Sequence, residues 1–248
     1  MPSIVNFADF DCRHCLAQET GLCHALSMGE LSLLSAMAVP RRFEKGETLI
    51  EQGNPLTTSY IIAEGLVKLC RYNHDGTRQI IGFLGPGDLI GAIKRSGLAY
   101  CSVETTTPVR VCAFNKKSFS EFVHTHNEFC YALLLSAMDE IEARWEHAII
   151  LGQRSAAARM AMFLLFLSTR WKFNADEQNV IRLNMPRSDI ADHLCLTVET
   201  VSRMLSQFKQ KGMIALNGPR TVRLKNSAAL QSVAGIESMP TRHLGFGL

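Results

Sequence analysis

Leu196-Thr197-Val198-Glu199-Thr200-Val201-Ser202-Arg203 decides how this chain reads. A threonine just ahead of a helix accepts a bond from a backbone N–H of the first turn, so Thr197 is expected to cap a helix opening at Val198. At helical spacing, Val198, Val201, Leu205 and Phe208 then share one face. Glu199, Ser202, Arg203 and Ser206 line the opposite face. One side is made for a core, and the other carries hydrogen-bonding groups suited to base edges. Upstream, Ser188-Asp189-Ile190-Ala191-Asp192-His193-Leu194 reads as a second helix, separated from the first by a tight turn. The pair predicts a helix-turn-helix and a DNA-binding surface. One position is off-pattern: Cys195 stands where glycine is usual, because that residue takes a positive φ. The expected strain is about 1 kcal/mol at most.

The reading face has a specific chemistry. Arginine forms a bidentate bond to guanine, and a carboxylate accepts from the cytosine amino group. Arg203 and Glu199 lie four residues apart, so together they suit a G·C pair, with Ser202 meeting a neighbouring base or a phosphate. The plainer alternative makes Glu199 a partner of the helix dipole and the i,i+4 mate of Arg203. Thr197, Thr200 and Arg187 complete the candidate DNA-contacting set. Beyond the helix, Ile214-Ala215-Leu216 and Thr221-Val222-Arg223-Leu224 flank Asn217-Gly218, a hairpin signal that reads as the wing of a winged helix. Seven basic residues (Arg187, Arg203, Lys209, Lys211, Arg220, Arg223, Lys225) face three acidic ones (Asp189, Asp192, Glu199) between 186 and 225. The whole chain carries only +3, so a basic module sits on a nearly neutral body, as phosphate contact requires.

Working outward, the body is expected to be a β-roll. Thr58-Ser59-Tyr60-Ile61-Ile62, Leu66-Val67-Lys68-Leu69 and Gln79-Ile80-Ile81-Gly82-Phe83 are short strand-like runs. Lys45-Gly46, Glu64-Gly65, Asp75-Gly76, Pro86-Gly87-Asp88 and Ser96-Gly97 punctuate them as turns. A long helix follows over about 128–152, in which Leu134, Met138, Ile141, Trp145 and Ala148 repeat at steps of four, three, four and three. That heptad seam predicts a dimerisation helix, the alternative being a helix packed on its own β-roll. Arg144 lies close to the seam, where two copies would repel across a homodimer unless the side chain is simply solvated. A core helix is expected over Ala156 to Trp171.

The fold class predicted is α+β: a double-stranded β-roll (jelly roll), a dimerisation helix and a winged helix-turn-helix domain. The expected boundaries are 1–28 for a cysteine-rich segment, 29–126 for the β-roll sensor, 127–153 for the long helix, 154–226 for the DNA-binding domain and 227–248 for a partly ordered tail. At 248 residues, 47% hydrophobic and 20% charged, the chain has the balance of a globular protein. No secretory signal pattern and no membrane-length apolar run is visible, so a cytoplasmic protein with no membrane partner is expected. Nothing points to an enzyme, as no phosphate loop, HExxH motif or cysteine-nucleophile constellation occurs.

Eight cysteines in a reducing compartment are thiols or metal ligands rather than disulfides. Cys12, Cys15 and Cys23 fall within twelve residues, a spacing that suits zinc or an iron–sulfur cluster equally. A fourth ligand must come from elsewhere; Cys70, Cys101, Cys112, Cys130 and Cys195 are available, and His14 and His24 flank the triplet. The alternative is three incidental thiols in a polar segment.

With these pieces in place, the chain resembles the CRP/FNR family of transcription regulators, its oxygen-sensing FNR branch above all. The resemblance covers nearly the whole chain and is most specific over Asp189 to Arg203 and Lys211-Gly212-Met213-Ile214. It implies that Glu199, Ser202 and Arg203 read TTGAT-like half-sites in palindromic double-stranded DNA. It also implies one [4Fe–4S] cluster per subunit, on Cys12, Cys15 and Cys23 with Cys112 as fourth ligand and Cys101 as runner-up. The Cys-x2-Cys-x7-Cys spacing resembles α-proteobacterial members. Val109-Arg110-Val111-Cys112-Ala113-Phe114 resembles the strand that carries the family's central cysteine, which leaves Cys70, Cys130 and Cys195 as structural. Gln79 to Gly91 resembles the family β-roll, part of which touches RNA polymerase. The cyclic-nucleotide branch carries a Gly-Glu-Leu step and a later Arg-Ser or Arg-Thr pair. Here Gly91 is followed by Ala92-Ile93, Arg95-Ser96 comes too early, and Tyr100-Cys101 occupy the later site, so no cyclic nucleotide is expected.

Overall fold

The computed structural model describes residues 3–4, 12, 15–91, 97–170 and 179–236. It comprises two compact units, Met1–Trp145 and Glu146–Leu248.

The first unit starts with β1 (Ser3–Ile4), α1 (Leu16–Thr20), a single 3-10 turn (Leu22–Ala25) and α2 (Met28–Met37). The strands β2 (Val39–Phe43), β3 (Thr48–Ile50), β4 (Thr58–Glu64), β5 (Val67–Tyr72), β6 (Arg78–Leu84), β7 (Leu89–Ile90), β8 (Ser102–Thr105) and β9 (Val109–Asn115) follow. They form two antiparallel sheets, one ordered β1-β2-β9-β4-β7 and the other β3-β8-β5-β6. The expected double-sheet roll is present.

Side chains alternate across a strand, so the first sheet has two buried faces. Tyr60, Ile62, Val109, Val111 and Ala113 join one apolar cluster with Val67, Leu84 and Val103 of the other sheet. Ile61, Cys112 and Phe114 point the opposite way, onto a layer of helices. That layer contains Ala17 and Leu22, Leu31 and Leu34 of α2, and Phe119 and Phe122 of α3 (Lys116–Thr125), and it ends on Phe129 of α4 (Asn127–Gly152). The periodicity reading did not include α2 or α3. A signal for α2 was available, because Ser27 and Glu30 close a reciprocal capping box. Asn115 likewise caps α3 by accepting from the Lys117 N–H at 3.0 Å.

In the second unit, α5 (Ala156–Arg170) is the central helix, with Met160, Ala161, Phe163 and Leu164 fully buried. Then come β10 (Val180–Arg182), α6 (Arg187–Leu194), α7 (Val198–Gln210), β11 (Ile214–Leu216), β12 (Thr221–Leu224) and α8 (Ser227–Ala234). The wing is a three-stranded sheet, β10-β12-β11, where two strands were expected. Its hairpin loop runs through four residues, with Gly218 at φ +76° and the Asn217 N–H bonded to the Thr221 carbonyl at 2.9 Å. The region expected as a partly ordered tail begins with a capped helix instead. Asn226 caps α8, Leu230 and Ala234 are buried, and the helix packs on α5; what lies beyond 236 is outside the described residues. Among the described residues, no helix is long and apolar enough to cross a membrane.

Candidate functional site

The reading helix forms as its cap dictates. The Thr197 hydroxyl accepts from the Thr200 N–H at 3.2 Å. Val201, Leu205 and Phe208 are buried, joined by Met204, whereas Val198 at the helix start stays 41% exposed and adds little to that core. Glu199, Arg203 and Ser206 are exposed on the other side. Glu199's own backbone N–H and the Thr197 hydroxyl hold its carboxyl below the usual carboxylate range, so it is a full acceptor at neutral pH. Ser202 is half-buried and tethered, because Arg187 at the start of α6 donates from Nη1 to its Oγ at 2.9 Å. A guanidinium has five N–H donors, so this bond leaves Arg187 others to offer.

The turn between α6 and α7 is built around two residues. Cys195 takes the left-handed conformation, φ 51° and ψ 51°, that its position demands. Arg159 of α5, which the sequence reading did not single out, clamps this turn. Its Nη1 donates to the Leu194 carbonyl at 3.2 Å and the Cys195 carbonyl at 3.3 Å, while Nε donates to the Gln153 carbonyl at 3.0 Å. A cation at the carboxyl end of α6 satisfies carbonyls that the helix itself cannot. On the neighbouring turn, buried His193 stacks on His147 at 3.9 Å, and His147 Nε2 bonds to the His193 carbonyl oxygen at 2.8 Å.

The second cluster of interest is sulfur. Cys12, Cys15 and Cys23 come from the amino-terminal segment and Cys112 from the middle of β9, paired in register with Pro40 and Ile61. All four pack against one apolar layer. Cys15 precedes the first turn of α1, and Cys23 lies in the 3-10 turn. Burial pushes the Cys23 thiol up to about 12, with Cys15 and then Cys12 adding charge repulsion. Burial also raises Cys112, followed by the charges of Cys15, Cys23 and Cys12. Cys23 and Cys112 each lie within electrostatic reach of the other cysteines of the set, and among the described residues no group of three or more His, Cys, Asp or Glu is placed to hold a metal ion. Cys101 sits elsewhere, half-buried at the head of β8 in the other sheet. Cys70 is fully buried, whereas Cys130 and Cys195 are exposed.

Along α4 the heptad positions face outward. Leu134 is 57% exposed and Trp145 54%, with Ile141 and Ala148 also exposed and Met138 half-buried. Arg144 is not simply solvated in the single chain. Its guanidinium turns to the Glu140 carboxylate and the Ile81 carbonyl of its own chain, in space left by the missing side chain of Gly82. Its charge is thus already paired within the chain.

These features can be set beside known proteins. Residues 40–126 match the family model described as Cyclic nucleotide-binding domain, and 158–233 match that of the Crp-like helix-turn-helix domain. The chain is 33% identical to the nitrogen fixation regulation protein FixK of Bradyrhizobium diazoefficiens, over 83% of this chain and 86% of that one. It is 32% identical to the transcriptional activator protein FnrL of Cereibacter sphaeroides, over 92% and 93%. Among solved structures, FixK2 from Bradyrhizobium japonicum superimposes with a TM-score of 0.71 at 28% identity, covering 79% of this chain and 96% of that one. A β-roll joined by a long helix to a winged helix-turn-helix defines a DNA-binding regulator of transcription rather than an enzyme. The chain belongs to the CRP/FNR family of such regulators.

Proposed function

We propose that this regulator senses oxygen through one [4Fe–4S] cluster per subunit, held by Cys12, Cys15, Cys23 and Cys112, and binds TTGAT-like palindromes as a homodimer. The observation that carries the reading is the convergence of four cysteines, from two distant stretches of chain, on one apolar layer. Four thiolates suit either a [4Fe–4S] cluster or a single zinc by ligand type, and metal analysis separates the two. When bound, the cluster supplies an oxygen-sensitive bridge between the amino-terminal segment and β9.

The chain's own residues turn that bridge into a signal. The layer under the cysteines includes Phe129, Ala132 and Leu133, at the start of the helix that bears the exposed stripe. A segment tied down at Cys112 steadies that helix, and two stripes from Leu134 to Ala148 then pack together. The dimer presents two copies of α7 about one DNA turn apart. Glu199 and Arg203 read a G·C pair while Ser202, Thr197, Thr200 and Arg187 position the helix on adjacent bases and phosphates.

No cyclic nucleotide belongs in this β-roll. Arg71 stacks over the Tyr100 ring at 4.6 Å, where the other branch keeps its ligand-holding pair. Ala92, Ile93, Arg95 and Ser96 lie outside the described residues. RNA polymerase is the expected third partner, on the surface running from β6 to Gly91, and the cytoplasm is the compartment where all these partners meet.

The test compares oxygen-free preparations of the wild type, Cys112→Ser and Cys101→Ser. Wild type and Cys101→Ser should carry about four irons and four sulfides per chain, and Cys112→Ser far less. Zinc in place of iron and sulfide in the wild type would overturn the reading.

A further inference from the structure

One close approach in the first unit connects the cysteine segment to the β-roll through backbone alone. Gly21 lies between Cys15 and Cys23 and closes α1, its N–H donating to the Ala17 carbonyl at 3.1 Å. Its φ of −117° is open to any residue, so conformation does not explain a glycine here. Space does. A Cβ on Gly21 would overlap the Gly87 Cα and stand 2.8 Å from its carbonyl oxygen and 2.9 Å from its carbonyl carbon.

The surface met by Gly21 cannot easily yield. Gly87 is at φ +88° in the turn between β6 and β7. Its N–H donates to the Ile62 carbonyl at 2.8 Å, and the Ile62 N–H donates to the Asp88 carbonyl at 3.1 Å. The Gly85 N–H donates to the Asp88 carboxylate at 2.8 Å, closing the turn on itself. Ile62 is next to Ile61, the register partner of Cys112. A short path of backbone therefore runs from Cys23, through Gly21 and the 85–88 turn, to the strand beside Cys112.

We propose that Gly21 is a positioning residue for the cysteine set: its missing side chain lets the segment seat on the Gly85–Asp88 turn, and this contact sets Cys23 against Cys112. The proposal rests on the cluster reading for its consequence, but the seating itself is a property of the metal-free chain.

The experiment has two arms, on the full-length wild type, Gly21→Ala and Gly29→Ala. Gly29 has nothing within 4 Å of a built Cβ, so its alanine variant is the control. In the metal-free arm, alkylation of Cys23 by iodoacetamide under native conditions is followed by peptide mass spectrometry. Gly21→Ala should label about tenfold faster than the wild type or the control, as local opening becomes easier. In the second arm each protein is loaded with iron and sulfide without oxygen. Gly21→Ala should hold less iron and lose its visible absorbance severalfold faster in air, with the melting of the DNA-binding unit unchanged. Equal Cys23 labelling in all three proteins overturns the proposal. A wild type that takes up no iron and sulfide overturns the cluster reading instead, while the labelling arm still decides the seating. Should Gly21→Ala fail to fold, Asp88→Ala replaces it by loosening the same turn, and unchanged Cys23 labelling there overturns the proposal equally.

Discussion

At the scale of single residues, Arg203 and Glu199 are the proposed sequence-reading pair, exposed on a helix whose other face is buried. Arg203→Ala should reduce discrimination at one guanine by about 1–3 kcal/mol in competition binding. A loss spread evenly over all sequences would mark a phosphate contact instead. Glu199 adds a pH signature. Its carboxyl is held below the usual range, so the accepting form persists as pH falls and is lost only on the acid side of an ordinary glutamate. Discrimination at the paired cytosine should stay level from pH 8 down to about pH 5, just above where an ordinary glutamate titrates. A decline centred near pH 6 would contradict this. Cys195 was legible as a misfit because the turn fixes its backbone whatever residue stands there, and it does adopt φ 51°. Cys195→Gly should raise the thermal stability of the second unit by about 1 kcal/mol or less. Arg187 shows what sequence could not supply: its bond to Ser202 joins residues fifteen apart whose meeting depends on the angle between two helices.

At the scale of elements, the parts with strong local signals were readable and the parts defined by tertiary packing were not. Thr197 announced α7 because capping is chemistry between near neighbours. The run from Val109 to Phe114 announced β9, and alternation along it turns Cys112 toward the helices while Val111 faces the other sheet. β10 is three residues long, and its partner β12 is forty residues away, so no local pattern marks it. Arg159 escaped notice for the same reason, being one arginine in an apolar helix until α6 and its turn are placed beside it. Arg159→Ala should cost about 1.5–3 kcal/mol, since it removes charged donors from carbonyls at a helix end. Denaturant unfolding of the second unit measures this, and a loss below half a kcal/mol would show that water replaces the guanidinium.

At the scale of the whole molecule, the long helix is the proposed site of association. Its exposed stripe of Leu134, Ile141 and Trp145 has too much apolar surface to be left in water without a purpose. Ile141→Glu should leave the fold intact, because the side chain is exposed in the single chain, and weaken the dimer by about 2 kcal/mol or more. Light scattering of the oxygen-free protein across a concentration series reads that directly. An unchanged dimer would mean that the seam is elsewhere. Arg144 is engaged by Glu140 and Ile81 within the single chain, which pairs its charge locally. In the proposed sensor, oxygen control would rest on the cysteine segment, which shares its apolar layer with the beginning of the same helix.

The most direct measurement takes one oxygen-free preparation and records visible absorption and binding to a TTGAT-type palindrome before and after air is admitted. Absorbance that bleaches together with a loss of site-specific binding is the result expected of a dimer whose subunits each hold an oxygen-sensitive cluster. A colourless protein that binds the palindrome equally well with and without air would contradict the oxygen switch while leaving the DNA-binding regulator in place.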